Sequence, residues 1–171
     1  MPVSPARRPA AFFDRDGVLN IDTGYTHRIE DLRLIEGAAT AVRRFNDAGW
    51  RVFVVTNQGG VAHGYYDEAA VDAFHAELQR RLHVQQAIID SFYHCPHHPE
   101  GSIAGYARRC DCRKPRPGMI LQAMADWPID RDRSIMIGDR DTDIEAAVAA
   151  GLRGFLFPGG DLAAFCARIA L

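Results

Sequence analysis

The sequence has no long apolar run. Its apolar stretches, such as 52–55 and 135–137, fall far short of the roughly 20 residues that a membrane-spanning helix needs. Near the N-terminus, basic residues are followed by a short apolar patch that meets Asp14 at once. This leaves no room for a signal-peptide core of about 7 to 15 apolar residues. We therefore expect a cytoplasmic protein without a membrane partner.

The chain also lacks an excess of charge of one sign. Its 20 basic and 22 acidic residues give a net charge of -2, so the overall basic field of a non-specific nucleic-acid binder is missing. We expect no nucleic-acid partner, and any anion site must be local. Lys114 is the only lysine, which indicates a site that needs a compact ammonium group rather than a planar guanidinium.

Neither the G-x-G-x-x-G motif of dinucleotide sites nor the P-loop motif occurs in the sequence, which argues against nucleotide cradles. Repeats and low-complexity tracts are also missing. The length of 171 residues is within the range of about 100 to 200 residues for one domain. We therefore predict a single domain over residues 1–171, and we expect it to be a monomer.

Apolar runs alternate with segments of helical periodicity. The pattern predicts strands over 10–13, 52–55, 88–93, 135–137 and 154–157. It predicts helices over 37–49, 117–125, 143–150 and 161–169, and a further helix that begins near Asp67. Such alternation is typical of an α/β protein, here a Rossmann-like three-layer fold around a central parallel sheet. Residues 95–112 show neither period and are predicted to form a loop.

Polar residues follow three of these strands, at the end where ligands bind in open α/β sheets. They are Asp14 and Asp16, then Thr56 and Asn57, then Asp139. If the first segment stays extended, the two aspartates point to the same side, and Gly17 permits a sharp turn afterwards. One carboxylate can then attack while the other manages protons. A simple Asp-rich turn is the alternative interpretation of this block alone.

Four blocks in order resemble the motifs of the haloacid dehalogenase superfamily of phosphatases. They are FFDRDGVLN at 12–20, Thr56-Asn57, Lys114, and Gly138-Asp139. The resemblance spans residue 10 to about residue 157 and implies an enzyme, a Mg²⁺-dependent phosphomonoesterase.

This resemblance implies a role for each matched residue. Asp14 is the nucleophile that forms an aspartyl phosphate, and Asp16 is the general acid that later serves as the base. Thr56 and the Asn57 backbone hold the phosphoryl oxygens, while Lys114 neutralises charge. A carboxylate cannot approach a phosphate dianion without such neutralisation, which an ammonium group and a hard cation supply.

The resemblance also implies a Mg²⁺ site formed by Asp14, Asp139 and the main-chain carbonyl of Asp16. Asp141 and Asp143 lie close to these residues in the sequence. For Asp143 two interpretations stay open: it caps the helix that follows, or it has a role at the metal.

The cysteines suggest a second metal. Four cysteines in a cytosolic-looking chain argue against a disulfide framework. Three of them cluster near histidines, namely Cys95, Cys110 and Cys112 with His94, His97 and His98. Three thiolates and an imidazole suit one closed, tetrahedral, structural Zn²⁺, although spacing does not choose the histidine and exposed free thiols are the alternative. The fourth, Cys166, lies in an apolar helical context and is predicted to be a core residue.

The cysteine segment is similar to a zinc-containing branch of the superfamily, which holds histidinol-phosphate phosphatases and D-glycero-D-manno-heptose 1,7-bisphosphate phosphatases. That resemblance implies the ligands Cys95, His97, Cys110 and Cys112. The long zinc loop, 95–112, favours the heptose type and thus a 7-phosphatase acting on the bisphosphate. The alternatives are a histidinol-phosphate phosphatase or a catalytically silent zinc-bearing interaction module.

Five cations lie within nine residues of this segment: Arg108, Arg109, Arg113, Lys114 and Arg116. A solvated basic face or a nucleic-acid patch is one interpretation. We favour a second phosphate on a small sugar bisphosphate, with Arg113 as its clamp because a guanidinium group can bind a phosphate bidentately. Arg140 is also assigned to substrate binding.

Three positions depart from the family pattern. Gly59 replaces a serine, His63 replaces an arginine, and Arg140 stands where lysine is frequent; these changes leave the identity of the sugar open. No insertion is long enough for a large cap domain. We therefore expect residues 22–35 and the zinc loop to cover the substrate.

Overall fold

The computed structural model describes residues 6–171, so the first five residues of the N-terminal segment searched for a signal peptide lie outside it. The strands are β1 (Ala10–Phe13), β2 (Arg51–Asn57), β3 (Ser91–Cys95), β4 (Ile135–Gly138) and β5 (Arg153–Leu156). The helices are α1 (Ala38–Asp47), α2 (Gly60–His63), α3 (Glu68–Val84), α4 (Gly118–Asp126), α5 (Asp141–Ala149) and α6 (Leu162–Ala167). Among the described residues, none of these helices combines the length and hydropathy needed to span a bilayer.

All five strands form one parallel sheet in the order β3-β2-β1-β4-β5. The first strand is central, and Phe13 at its end is in register with Val54 of β2 and Ile137 of β4. The chain therefore runs outward from β1 in one direction and then in the other. The carboxyl ends of β1, β2 and β4 lie side by side, which is the position where open α/β sheets bind ligands.

Helices cover both faces of the sheet, as the predicted three-layer fold requires. In β1, Ala11 and Phe13 belong to one core cluster and Ala10 and Phe12 to the other, because successive side chains of a strand point to opposite faces. Buried residues of α1, α3 and α6 join the first cluster, and those of α4 and α5 join the second. A strand that is buried on both faces explains its continuous apolar run.

The third strand begins later than predicted, at residue 91 rather than 88. Side chains occupy the backbone before it: Asn46 Oδ1 accepts a hydrogen bond from Ile88 N, and Gln79 Oε1 accepts one from Ile89 N. These bonds replace ladder bonds, so pairing starts after Asp90 and continues to Cys95. The short helix α2 was not predicted, since four residues are too few to show a helical period.

Only a short connection covers the pocket side of the sheet. Between β1 and α1 the structure contains the 3₁₀ turn Ile29–Asp31 and isolated bridges such as Asn20 with Leu34. The prediction of no large cap domain is confirmed for the described residues, and residues 22–35 form a loop beside the strand ends.

Candidate active site

A cavity of about 460 Å³ opens at the carboxyl ends of β1, β2 and β4. It contains all the residues predicted to act on the substrate: Asp14, Asp16, Thr56, Asn57, Arg113, Lys114 and Arg140. The loop of residues 22–35 contributes Asp22, Gly24 and Tyr25 to the wall. The parallel sheet therefore brings together residues that are more than a hundred positions apart.

The buried ammonium group of Lys114 is fixed by three acceptors. Its Nζ donates to Asp14 Oδ1 at 2.8 Å and to the carbonyl of Val55 at 2.8 Å, and lies 2.7 Å from Asp143 Oδ1. An ammonium group has three donors, so all are in use. Asp14 Oδ1 also accepts from the Arg15 backbone N at 2.8 Å. Since both bonds fall on Oδ1, Asp14 Oδ2 is the oxygen available for nucleophilic attack.

Three carboxylates form what we call the carboxylate cluster: Asp14, Asp139 and Asp143, each with an oxygen within 4.8 Å of the others. Asp139 Oδ1 is buried without a hydrogen-bond partner. Gly17 adopts a φ of 85°, and a Cβ there would collide with the Asp139 carboxylate. The glycine of the first motif therefore permits this approach. An orphaned oxygen in an all-oxygen donor set fits a hard divalent cation such as Mg²⁺.

The raised pKa values of Asp14 and Asp139 also indicate a cation-binding site. Burial raises the pKa of Asp14 to about 7; Lys114 opposes this rise and Asp143 adds to it. Burial and the Asp143 charge likewise raise the pKa of Asp139. One ammonium group does not balance three carboxylates in a buried site, whereas a divalent cation would favour their ionised forms.

Asp143 fits both interpretations that the sequence left open, as a cap of the helix that follows and as a residue at the proposed metal site. Its Oδ2 accepts from the backbone N of Asp139 and of Arg140, each at 3.1 Å, as an aspartate at the start of α5 can. Its Oδ1 faces Lys114 at 2.7 Å. The residue therefore caps the helix and belongs to the carboxylate cluster. The helix begins at Asp141 rather than at the predicted residue 143.

The carboxylate of Asp16 accepts four hydrogen bonds. Oδ1 receives Arg15 Nε at 3.0 Å and Asn20 Nδ2 at 2.8 Å. Oδ2 receives Arg15 NH2 at 3.0 Å and Gln58 Nε2 at 3.1 Å. The side chains of Arg15, Asn20 and Gln58 therefore fix the position of this carboxylate.

The polar end of β2 is held by side chains. Thr56 Oγ1 accepts from Gln58 Nε2 at 2.8 Å. Asn57 and Lys114 form a reciprocal pair, in which Asn57 Nδ2 donates to the Lys114 carbonyl at 3.1 Å and Lys114 N donates to Asn57 Oδ1 at 3.0 Å. The Asn57 side chain therefore fixes the segment that carries the lysine, which leaves its backbone for a ligand.

A second cluster, the sulfur cluster, consists of Cys95, His97, Cys110 and Cys112, whose ligand atoms all lie within 4.8 Å of one another. Cys112 Sγ is 2.9 Å from Cys95 Sγ, 3.3 Å from Cys110 Sγ and 3.4 Å from His97 Nδ1. None of the cysteines is in a disulfide. Four close donors of this kind suit a closed tetrahedral zinc site.

The structure selects one histidine of the three candidates. His94 Nε2 lies 2.9 Å from Glu68 Oε1, and His98 Nδ1 accepts from the backbone N of Glu100 at 3.1 Å. His97 alone of the three joins the sulfur cluster. Cys166 is completely buried in the core beside α1, as predicted.

The rim of the pocket contains two of the departures from the family pattern. A Cβ at Gly59 would lie 3.1 Å from Arg113 NH1 and 3.2 Å from His98 Cδ2. The missing side chain therefore makes room for Arg113, whose NH1 donates to the His97 carbonyl at 3.3 Å. The ring of His63 stacks against Tyr65 and lies 4.6 Å from the ring of His98. Gly59 and His63 therefore both lie beside the His98 ring.

Arg140 contacts the loop across the pocket mouth, with its NH2 3.2 Å from Asp22 Oδ2. Its side chain is exposed, unlike that of Lys114. Asp22 was not singled out from the sequence, and neither were Arg15, Asn20, Gln58 and Tyr66. Gln58 directly follows the Thr56-Asn57 motif and Asn20 ends the first block, so their positions carried a signal. Arg15 carried none, because arginine is rarely buried.

Known proteins resemble this chain over nearly its whole length. A family model described as HAD-hydrolase-like matches residues 111–164. A D-glycero-beta-D-manno-heptose-1,7-bisphosphate 7-phosphatase from Rhodopseudomonas palustris is 47% identical over 169 residues, which cover 99% of this chain and 94% of that protein. The chain belongs to the haloacid dehalogenase-like phosphatases. A protein of the same activity name from Escherichia coli K12 is 42% identical over 84% of this chain and 75% of its own length.

Solved structures of this phosphatase family share the fold. A HAD-like phosphatase from Mesorhizobium loti superposes with a TM-score of 0.86 at 34% identity, covering 93% of this chain and 77% of that one. A D,D-heptose 1,7-bisphosphate phosphatase from B. bronchiseptica, complexed with magnesium and phosphate, gives a TM-score of 0.80 at 30% identity, covering 95% of this chain and 88% of that one. The predicted Rossmann-like fold and phosphatase class are confirmed.

Proposed function

We propose that this phosphatase removes the 7-phosphate of D-glycero-D-manno-heptose 1,7-bisphosphate through an aspartyl phosphate on Asp14. The observation that carries the proposal is the arrangement at the pocket floor: the Asp14 carboxylate is bound through Oδ1 by Lys114 and presents Oδ2. It occurs in a chain 47% identical to a protein named for that activity.

The residues for Mg²⁺ are Asp14, Asp139 and the carbonyl of Asp16, with Asp143 beside them. The magnesium and phosphate bound by the B. bronchiseptica relative support this cofactor. When bound, Mg²⁺ neutralises the carboxylates and the phosphate and polarises the phosphoryl group. Asp139 Oδ1, which is buried without a hydrogen-bond partner, would gain one in Mg²⁺.

The chain's own groups account for the two chemical steps. Asp14 Oδ2 attacks phosphorus, and the bond from phosphorus to the sugar oxygen breaks. Asp16, protonated for this step, gives its proton to the departing alkoxide. Water then attacks the aspartyl phosphate while Asp16 takes up its proton, and this releases inorganic phosphate and restores Asp14.

Three groups hold the phosphoryl oxygens during these steps. Lys114 supplies the fixed positive charge, and Thr56 with the Asn57 backbone supplies hydrogen bonds. Fixed dipoles and charges stabilise a developing negative charge without reorganisation at the moment of reaction. The reciprocal bonds between Asn57 and the Lys114 backbone support this preorganisation.

We also propose that the sulfur cluster binds one structural Zn²⁺. Three sulfur donors and one imidazole nitrogen are a common donor set for a closed zinc site. Cys112 precedes Lys114 by two residues, and Arg113 lies between them. Zinc would therefore fix the loop that carries two of the three cations of the pocket.

The phosphate that is not cleaved is assigned to Arg113, and Arg140 is assigned to substrate binding. Both guanidinium groups line the cavity, whereas Lys114 lies at its floor. The net charge of -2 supports a small substrate rather than a nucleic-acid partner. A cytoplasmic monomer completes the proposal, and size-exclusion chromatography with light scattering tests the oligomeric state.

A substrate panel tests the proposed function. Phosphate release is measured with Mg²⁺ on both anomers of the heptose 1,7-bisphosphate, on histidinol phosphate and on p-nitrophenyl phosphate, and Asp14→Asn serves as the control for contaminating activity. We expect the highest kcat/KM for a heptose bisphosphate, with the product retaining its 1-phosphate. A higher kcat/KM for histidinol phosphate would contradict the sugar assignment, and no release from any substrate would favour a silent module.

A further inference from the structure

The most completely buried charge in the molecule is Arg15, between the two aspartates of the first motif. Its side chain has no exposed surface and is the largest of the fully buried side chains. A buried cation is costly unless its donors are matched. No step of the proposed mechanism uses this guanidinium group, so its position calls for another explanation.

The guanidinium group of Arg15 faces Asp16 through two parallel hydrogen bonds. Nε donates to Oδ1 and NH2 donates to Oδ2, each at 3.0 Å. Such a paired contact fixes the plane of a carboxylate as well as its distance. The other two donors to Asp16, from Asn20 and Gln58, are neutral amides, which form weaker bonds. Arg15 is therefore the main constraint on the Asp16 carboxylate.

The surrounding protein holds Arg15 from three further sides. Its NH1 lies 3.3 Å from His75 Nε2, and its carbon Cζ lies 4.3 Å from the centre of the Phe74 ring. Burial and the charge of Arg15 lower the pKa of His75 to about 2, so His75 is neutral and accepts from NH1. The NH2 group also donates to the carbonyl of Thr26. Helix α3 and the loop of residues 22–35 thus share one anchor.

We propose that Arg15 is a positioning residue, which holds the Asp16 carboxylate at the place from which it serves the leaving oxygen. Thr26 follows Tyr25, which lines the pocket, so the same guanidinium group also fixes the loop that covers the substrate. This inference rests on the proposed role of Asp16 as general acid. The Arg15 side chain does not line the active-site cavity, and only the backbone N of Arg15 contacts the carboxylate cluster.

A purely structural ion pair would make a different prediction from a positioning residue. A general acid matters for a basic leaving group such as a sugar alkoxide, whereas p-nitrophenolate departs without a proton. The kcat/KM value reports the steps up to departure of the alcohol. Loss of positioning therefore lowers kcat/KM selectively for the sugar substrate, and loss of folded protein lowers it equally for both substrates.

The experiment compares kcat/KM for the heptose bisphosphate and for p-nitrophenyl phosphate in Mg²⁺-loaded enzyme. We expect Asp16→Asn to lose about 100- to 10,000-fold on the sugar substrate. Arg15→Met should lose roughly 10- to 100-fold on the sugar and less than about threefold on the aryl ester, since a misplaced acid retains part of its effect. Arg15→Lys keeps the charge but not the paired contact and should fall between Arg15→Met and wild type.

The matched control is Arg51→Met. Arg51 also forms an ion pair, with its NH1 2.6 Å from Asp90 Oδ1, and lies over the Trp127 ring at 4.8 Å. It does not line the active-site cavity. Its loss should leave the ratio of the two kcat/KM values unchanged.

If Arg15→Met does not fold, His75→Phe provides the test. This change removes the acceptor of NH1 and retains a ring against Phe92, and we expect a selective loss of about threefold on the sugar. Equal losses on both substrates for the Arg15 variants and His75→Phe, beside a selective loss for Asp16→Asn, would overturn the positioning role alone. An unselective Asp16→Asn variant would instead remove the acid role on which the inference rests.

Discussion

The carboxylate cluster and the sulfur cluster differ in what holds them. Asp14 and Asp139 directly follow central strands, and Lys114 provides an internal counter-charge with all three donors used. The sulfur cluster has Cys95 at the end of a strand, and its other members lie in loop structure. Its donors face mainly one another, with sulfurs 2.9 to 3.4 Å apart.

The sheet preorganises the carboxylate cluster, whereas we expect the sulfur cluster to depend on the proposed zinc. Removal of Mg²⁺ should leave Asp14 and Asp143 in place, because backbone N–H groups and Lys114 hold both carboxylates. Removal of zinc should release the loop, because three of the four ligands lie in loop structure. The two clusters are nevertheless connected, since Cys112 lies two residues before Lys114.

The largest effect is expected for Asp14→Asn, which removes the attacking charge at nearly constant shape. Turnover should be abolished on every substrate, while the thermal unfolding midpoint and the zinc content stay close to those of wild type. Steady-state assays and differential scanning calorimetry measure the two properties. A variant with near wild-type turnover would remove the nucleophile assignment and with it the contrast between the clusters.

The next largest effect is expected for the sulfur cluster. Wild-type protein prepared without chelator should contain about one equivalent of zinc by elemental analysis, and Cys110→Ser should lose it. The apparent free energy of zinc binding to structural sites in peptides is about 10 to 16 kcal/mol. Loss of zinc should therefore destabilise the loop and lower activity. Cys166→Ser is the matched control, because that cysteine lies in the core away from the cluster.

Two results would show that the sulfur cluster needs no metal. One is full stability and activity in Cys110→Ser, and the other is the absence of zinc from wild-type protein prepared without chelator. Selective proteolysis between residues 95 and 112 sharpens the result. The loop should become sensitive to protease in the zinc-free protein while the sheet stays resistant.

The third effect separates the two cations that follow the sulfur cluster. Arg113→Ala should lose about 10- to 100-fold in kcat/KM on the heptose bisphosphate, the cost of one charge-assisted hydrogen bond, and little on an aryl monophosphate. Lys114→Ala should damage both reactions because it serves the phosphate that is cleaved. Equal losses for Arg113→Ala on the two substrates would leave this arginine as a general attractor of anions.

The smallest effect is expected at the rim. In Gly59→Ala, the new Cβ lies 3.1 Å from Arg113 NH1, and the long arginine side chain can shift by a few tenths of an ångström. We expect KM for the bisphosphate to rise by about two- to fivefold with kcat unchanged, because the substrate and its transition state should lose the same binding energy. A fall in kcat with KM unchanged would place Gly59 in the chemistry instead.

The fold was largely predictable because its signals are local. Strand β1 has the predicted bounds, residues 10 to 13, since four buried apolar residues end at an aspartate. Asp67 caps α3 by accepting from Ala70 N, as its position before the helical pattern indicated. The predicted start of β3 was wrong because the Asn46 and Gln79 side chains, from other parts of the chain, bind the backbone of residues 88 and 89.

The site was predictable to the extent that strand ends converge. The sequence placed Asp14, Thr56 and Asp139 at one edge of the sheet, and the structure brings their neighbourhoods together. The sequence did not show that Arg15 turns inward to Asp16, because a buried arginine requires partners from three separate segments. Such networks depend on side-chain packing rather than on a period in the sequence.

The central claim is that Asp14 becomes covalently phosphorylated, and one measurement tests it most directly. Asp16→Asn protein is mixed with Mg²⁺ and p-nitrophenyl phosphate, whose leaving group departs without a proton. The mixture is quenched rapidly in acid, digested and analysed by mass spectrometry, with Asp14→Asn treated in parallel. We predict a phosphate adduct on Asp14 that accumulates because the base for water attack is missing, and no adduct in Asp14→Asn. Turnover without any adduct on Asp14, or an adduct on another residue, would contradict the account.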